Sequence, residues 1–290
     1  MKKYIIVTDS TTDLTWEFAK ENELVVLPLG YSIDGNNYKD YLDRRDLPIE
    51  EFYKKIDKGY TSKTTQINPE EFYTVFEEYA KKDIGVLGIF FSSGLSGTYN
   101  SARIAYEQIL ENYPNADIKI LDSLCASLGE GLLVYYAIRA LKEGKTLGEN
   151  YKHLERLKFR IAHWFTVSDM DALKNGGRIS ASSAFFAKTL HINPVLNVSN
   201  EGKLTARMKK IGRRAALSAI VDKIEETYDK DLNNIIFISH SFAGTDVELL
   251  KKMITERIGI NKFYENIIGP VIGSHTGLGT IAVFFIANER

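Results

Sequence analysis

Two kinds of residue in this chain could hold an anion: hydroxyl side chains bunched after apolar runs, and one histidine set among small residues. Ser92-Ser93-Gly94-Leu95-Ser96-Gly97-Thr98 packs three serines, one threonine and two glycines into seven positions. It follows the apolar run 84–91 and precedes an amphipathic stretch, so it reads as a strand-to-helix loop. The N–H groups and dipole at such a helix start favour negative charge. Simple N-capping explains one of the hydroxyls and leaves the others for a ligand. Asp9-Ser10-Thr11-Thr12 follows the first apolar run, and Gly273-Ser274-His275-Thr276-Gly277-Leu278-Gly279 follows a run near 272. In open α/β sheets, ligands gather outside the carboxyl ends of the strands, where all three segments fall. His275 is either a structural loop histidine or part of that site.

Several chemistries are excluded. No lysine follows Gly97, so the serine-rich loop is not a nucleotide-binding P-loop. It lacks the Gly-x-Ser-x-Gly of a nucleophile elbow, and no Gly-x-Gly-x-x-Gly follows the first strand. His153, His163, His191 and His240 show no metal-ligand spacing. The single cysteine, Cys125, can form neither an internal disulfide nor a metal cluster. We expect no cofactor and no metal. Gly176-Gly177-Arg178-Ile179 reads as a turn presenting an arginine, and on sequence alone a helix end followed by a solvated side chain is the better account of it.

The elements that must position these residues follow from periodicity. Short apolar runs at 4–8, 24–29, 84–91 and 118–121 alternate with amphipathic stretches, which argues a parallel sheet with helices on both faces. Asp13 is expected to open a helix. The segment 31–65 breaks the pattern with a turn-rich insert around Asp34-Gly35-Asn36. Asn68-Pro69-Glu70-Glu71 is a strong helix start with a capping box. After residue 160 we expect strands at 160–167, 194–198, 204–208, 234–239, 267–272 and 280–286, with helices between them, in a mixed sheet. The chain is therefore read as two α/β domains, 1–160 and 161–290. Its length of 290 residues agrees with two domains.

Formal net charge is −1, without the basic footprint of a nucleic-acid binder. The run 207–214, Arg213 included, reads as a solvated helix start. No stretch approaches the roughly 20 apolar residues of a membrane span, and the opening apolar run is too short for a signal-peptide core. We expect a cytoplasmic protein.

Five motifs in order resemble the DegV family, whose best-understood members are the fatty-acid-binding subunits of bacterial fatty acid kinase. They are Thr8-Asp9-Ser10-Thr11-Thr12-Asp13-Leu14, Lys63-Thr64-Thr65-Gln66, the loop from Ser92 to Tyr99, Leu173-Lys174-Asn175-Gly176-Gly177-Arg178-Ile179-Ser180, and Ile272-Gly273-Ser274-His275-Thr276-Gly277. The chain departs from the family pattern at Ile67-Asn68, Asn193-Pro194 and Leu278.

The resemblance implies a long-chain fatty acid lying between the two domains. Its carboxylate would be held by a threonine of Thr64-Thr65, a serine of Ser92-Ser93, and His275, with Arg213 nearby. It implies no catalysis in this chain. The bound carboxyl group would be presented to a separate ATP-dependent kinase, with Arg178 serving partner docking, and a transient membrane contact fits such a carrier. The helix carrying Phe185-Phe186 and the stretch 189–198 are expected to line the tunnel or to serve as core. The rival reading is an α/β enzyme using His275 and Ser93 directly on a small carboxylated or phosphorylated substrate. A third is an interaction protein with lipid as filler.

Overall fold

The structure, a computed structural model, describes residues 3–168, 170–179, 192–232 and 235–290. Three sheets organise it. Strands β1 (Tyr4–Asp9), β2 (Val25–Leu27), β6 (Gly85–Phe90) and β7 (Ile118–Asp122) form an all-parallel sheet in the order β2-β1-β6-β7. Every residue of β6 is buried, as expected of a central parallel strand covered on both faces. Helices α3 (Pro69–Lys81) and α4 (Thr98–Asn112) cover one face around Phe72, Phe76 and Ala105. Helices α5 (Leu128–Lys142) and α6 (Leu147–Leu157) cover the other.

The insert is a small antiparallel sheet of β3 (Gly30–Ile33), β4 (Asn36–Lys39) and β5 (Ser62–Thr65), in the order β4-β3-β5. Asp34 and Gly35 both take positive φ, the backbone of the hairpin turn the sequence suggests. Helix α2 (Ile49–Asp57) packs on it through Phe52 and Tyr53.

The six-stranded mixed sheet has the order β10-β9-β8-β13-β11-β12. Its strands are β8 (Ile161–Thr166), β9 (Ile192–Val198), β10 (Leu204–Ile211), β11 (Ile236–His240), β12 (Phe263–Ile267) and β13 (Ile281–Ile286). Only β11 and β12 pair in parallel. Successive side chains on a strand point to opposite faces, and this sheet uses both. Ile238, Ile281, Val283 and Phe285 pack under α8 (Arg213–Thr227) and α9 (Gly244–Ile258). Phe165, Phe237, Ala282 and Phe284 face α5, joining the two halves of the chain in one apolar core.

Three expectations are corrected. Asp13 does not open a helix: it sits at φ 52 after a 3-10 turn (Ser10–Thr12), and α1 (Trp16–Glu21) starts from a Thr15 cap. The run 267–272 is not a strand. β12 ends at Ile267 and α10 (Pro270–Thr276) begins at once, with Pro270 supplying the preset φ of a first helical position. The segment 62–65, expected to belong to the turn-rich insert, is the strand β5. Among the described residues, no helix is long and apolar enough to cross a membrane.

Candidate functional site

A cavity with about 960 Å³ of empty space, partly open to solvent, lies between the carboxyl ends of the parallel sheet, strand β5, helix α10 and the inner face of the mixed sheet. Much of the wall is apolar, including Phe91, Phe165, Leu204, Ile268, Ala282 and Phe284. One end is polar, where Thr64, Thr65, Gln66, Ser96, Arg178 and His275 come together.

The opening motif builds the platform for that end. Asp9, at the end of β1, accepts the Phe91 N–H at 2.9 Å through Oδ2 and the Thr11 N–H and hydroxyl at 2.9 and 2.6 Å through Oδ1. This holds the start of the loop after β6. The Thr11 hydroxyl also lies 2.9 Å from Glu130 Oε2. A hydroxyl has one proton, so of the two carboxyl groups flanking it one must donate. Burial raises the Asp9 pKa to about 6, against its hydrogen bonds from Thr11 and Phe91. Burial and then the charge of Asp9 push Glu130 well above the carboxylate range. Glu130 therefore carries the proton and donates to Thr11.

The serine-rich loop divides its labour. Ser92 is buried and donates to Gly202 O at 2.8 Å while accepting the Gly94 N–H at 3.2 Å. It clasps the turn between β9 and β10, which needs Gly202 at φ +69. Ser93 is exposed, and its N–H goes to Asp122 Oδ1 at 3.1 Å. Neither serine lines the cavity. Ser96 does; its Oγ accepts the Thr98 N–H at 3.2 Å and sits 3.0 Å from Thr98 Oγ1, at the start of α4. The structure thus sets the predicted pair Ser92-Ser93 outside the cavity wall and brings in a serine that sequence reasoning passed over. Counting hydroxyls could not separate them, because only the loop's path shows which one turns inward.

Strand β5 and helix α10 meet at two hydrogen bonds. Thr64 Oγ1 lies 2.9 Å from His275 Nε2, and Ser62 Oγ lies 2.6 Å from Ser274 Oγ. Thr65 also lines the cavity, with its Oγ1 close over Gly30 of β3. Burial, with the charge of Arg178 as the second cause, lowers the His275 pKa to about 4, so the ring is neutral at physiological pH. Its Nδ1 is buried without a hydrogen-bond partner among the described residues.

Arg178 lies in the cavity wall rather than on a free turn. Its Nε donates to Leu95 O at 3.2 Å and another guanidinium nitrogen to Gly176 O. Arg213 is elsewhere: it pairs with Asp246 at 2.9 Å, donates to Gly279 O, and lines no part of the cavity. The ion pair ties the start of α8 to the start of α9, so the expected place of Arg213 beside the carboxylate site is corrected. Phe185, Phe186 and residues 189–191 lie outside the described residues; from the remainder of that stretch, Val198 lines the cavity.

Elsewhere in the wall, Ser127 Oγ donates to Asp13 Oδ2 and lies 2.8 Å from Ser239 Oγ, while Asp13 Oδ1 accepts the Gly269 N–H at 2.8 Å. These polar groups satisfy one another, so the wall there asks nothing polar of a ligand.

The family model of DegV matches residues 3–288. The chain belongs to the DegV family. A DegV domain-containing protein of Clostridium perfringens is 43% identical over 290 residues, covering 100% of this chain and 99% of the relative. Among solved structures, a fatty-acid-binding DegV family protein of Thermus thermophilus superposes with a TM-score of 0.87 at 29% identity, covering 99% of this chain and 100% of its own. A stearic acid-binding protein of Eubacterium ventriosum gives 0.85 at 25% identity, with 97% and 98% covered. The parallel and mixed sheets described above are those of the two-domain DegV structures.

Proposed function

We propose that this chain binds one long-chain fatty acid in the cavity, with the carboxylate on Thr64, Ser96 and His275 and the alkyl chain along the apolar wall. The observation that carries the reading is a cavity with a largely apolar wall and, at one end, a group of hydrogen-bonding side chains, Arg178 among them. Burying a methylene gains roughly 0.8 kcal/mol, so the chain supplies most of the affinity. The anionic head must keep hydrogen bonds when it leaves water, and the hydroxyls of Thr64 on β5 and of Ser96 at the start of α4 provide them together with an imidazole N–H. The solved relatives that bind fatty acids support the same ligand class.

The geometry speaks against direct catalysis. A base with a pKa of about 4 is a weak proton acceptor at neutral pH. The far nitrogen of the ring has no orienting acid among the described residues, and Ser93 lies outside the cavity wall. The carboxyl group is instead handed to a separate ATP-dependent kinase for acyl phosphate formation. The absence of nucleotide-binding motifs in the sequence agrees with that division. The two halves, dividing near residue 160, are the units that flank the ligand.

Mass spectrometry of an organic extract of the purified protein tests the reading. Copurified fatty acid, or saturable binding of added palmitate to the stripped protein, is expected. A clean extract and no uptake of palmitate would overturn it. The kinase step is tested with a fatty acid kinase subunit and ATP: acyl phosphate should form with the loaded chain and not without it.

A further inference from the structure

The Gly-Gly-Arg turn contains two glycines that are there for different reasons. Gly177 has φ +70 and nothing within 4 Å of where a Cβ would sit, so its backbone alone demands glycine. Gly176 has φ −73 and ψ −9, an ordinary helical conformation open to any residue. What it lacks is room. A Cβ on Gly176 would lie 2.2 Å from His275 Nδ1, more than 1 Å inside the 3.4 Å of ordinary contact. The next nearest atoms, Ala172 O and His275 Cε1, are at 3.1 Å.

We propose that Gly176 is a positioning residue for His275, holding the imidazole edge so that Nε2 faces Thr64 and the ligand head. The proposal rests on the reading of His275 as a carboxylate ligand. The ring is fixed from two sides. At Nε2 it meets Thr64, on a strand that the Ser62–Ser274 bond fastens to α10. Ser274 gives its proton to Pro270 O at 2.6 Å, so Ser62 is the donor in that bond. At Nδ1 the ring abuts Gly176, which agrees with that nitrogen being buried and without a partner among the described residues. A side chain at 176 has one inexpensive way out, which is to push the ring, the end of a rotatable side chain. That movement draws Nε2 off Thr64. The same turn carries Arg178, which donates to Leu95 O next to Ser96. One short segment therefore sets both the imidazole and the loop that brings the serine.

The test compares Gly176→Ala, His275→Ala and the double variant, with Gly148→Ala as control. Gly148 has nothing within 4 Å of a new Cβ and lies in α6. Affinity is measured for palmitate and for hexadecan-1-ol, which has the same chain without the carboxylate. Gly176→Ala should weaken palmitate about ten- to a hundredfold, the value of one hydrogen bond to a charged group, and change the alcohol by less than about threefold. In the double variant the ring is gone, so the methyl group has space, and palmitate should bind as it does to His275→Ala alone. If Gly176→Ala does not fold, adding His275→Ala should restore folding. The proposal is overturned if Gly176→Ala binds palmitate like the parent, if it weakens both ligands equally, if the two losses multiply, or if the double variant stays unfolded. Parent-like palmitate binding by His275→Ala would instead overturn the carboxylate reading itself.

Discussion

Replacing Ser92 by alanine should cost stability and leave ligand specificity intact. The Ser92 hydroxyl is buried, donates to Gly202 O at 2.8 Å and accepts the Gly94 N–H at 3.2 Å. Alanine removes both bonds at once. Each net hydrogen bond contributes about 0.5–1.5 kcal/mol, and a buried group left without a partner costs about 1–3 kcal/mol. The contact is tight: a Cβ on Gly94 would lie 2.7 Å from Glu201 O, so water has little space to replace the hydroxyl. The expected loss is about 2–3 kcal/mol, a fall in melting temperature of roughly 3–5 °C for a chain of this size. Urea unfolding and thermal melts of the ligand-free protein measure it, and palmitate titration of the folded variant provides the contrast. The clasp assignment fails if Ser92→Ala melts with the parent. It also fails if the variant keeps parental stability and loses palmitate affinity, because Ser92 would then be touching the ligand.

The other two serines of the loop should separate cleanly: Ser96→Ala weakens palmitate about ten- to a hundredfold, and Ser93→Ala changes neither affinity nor melting. Equal affinities for the two variants would contradict the placement of Ser96 in the cavity wall. Glu130→Gln should be tolerated, since Glu130 is held protonated by burial and the neighbouring Asp9 charge. Because its folded pKa is raised, wild type is fully favoured only below the ordinary glutamate pKa and loses stability as pH rises above it, by about 1.4 kcal/mol per pH unit at most. The variant lacks that loss, so its stability relative to wild type should climb with pH from about 4.5; a difference independent of pH would show that Glu130 is ionised. Arg178→Ala frees the Leu95 and Gly176 carbonyls, so palmitate affinity should fall about tenfold, the value of one such bond. A variant that keeps its affinity and loses only kinase association assigns the residue to partner docking.

Much of the scaffold was legible because it is local. Asn68 and Glu71 form the reciprocal cap their spacing announces, the unbroken apolar run at 84–91 is a central strand, and the insert turns at Asp34-Gly35. The run at 267–272 misled because an apolar string has no visible period when a strand end abuts a helix start, and Pro270 was the signal to weigh. The site was legible as a set of motifs and not as a set of atoms. Thr64 and His275 meet across 211 positions of sequence. Ser92 and Ser96 differ in role only because the loop between them bends over the turn at Gly202. Arg213 looked available until Asp246, 33 residues on, was seen beside it. Such pairings are made by tertiary packing, which periodicity does not encode.

The central claim is where the carboxylate rests, and a crystal structure of the protein with bound palmitate tests it most directly. The account predicts one alkyl chain in the cavity between the parallel and mixed sheets, with its carboxylate oxygens within hydrogen-bond distance of Thr64 Oγ1, Ser96 Oγ and His275 Nε2, and Ser93 out of contact. A chain lying in the reverse sense, or a carboxylate paired with Arg213 away from His275, would contradict it.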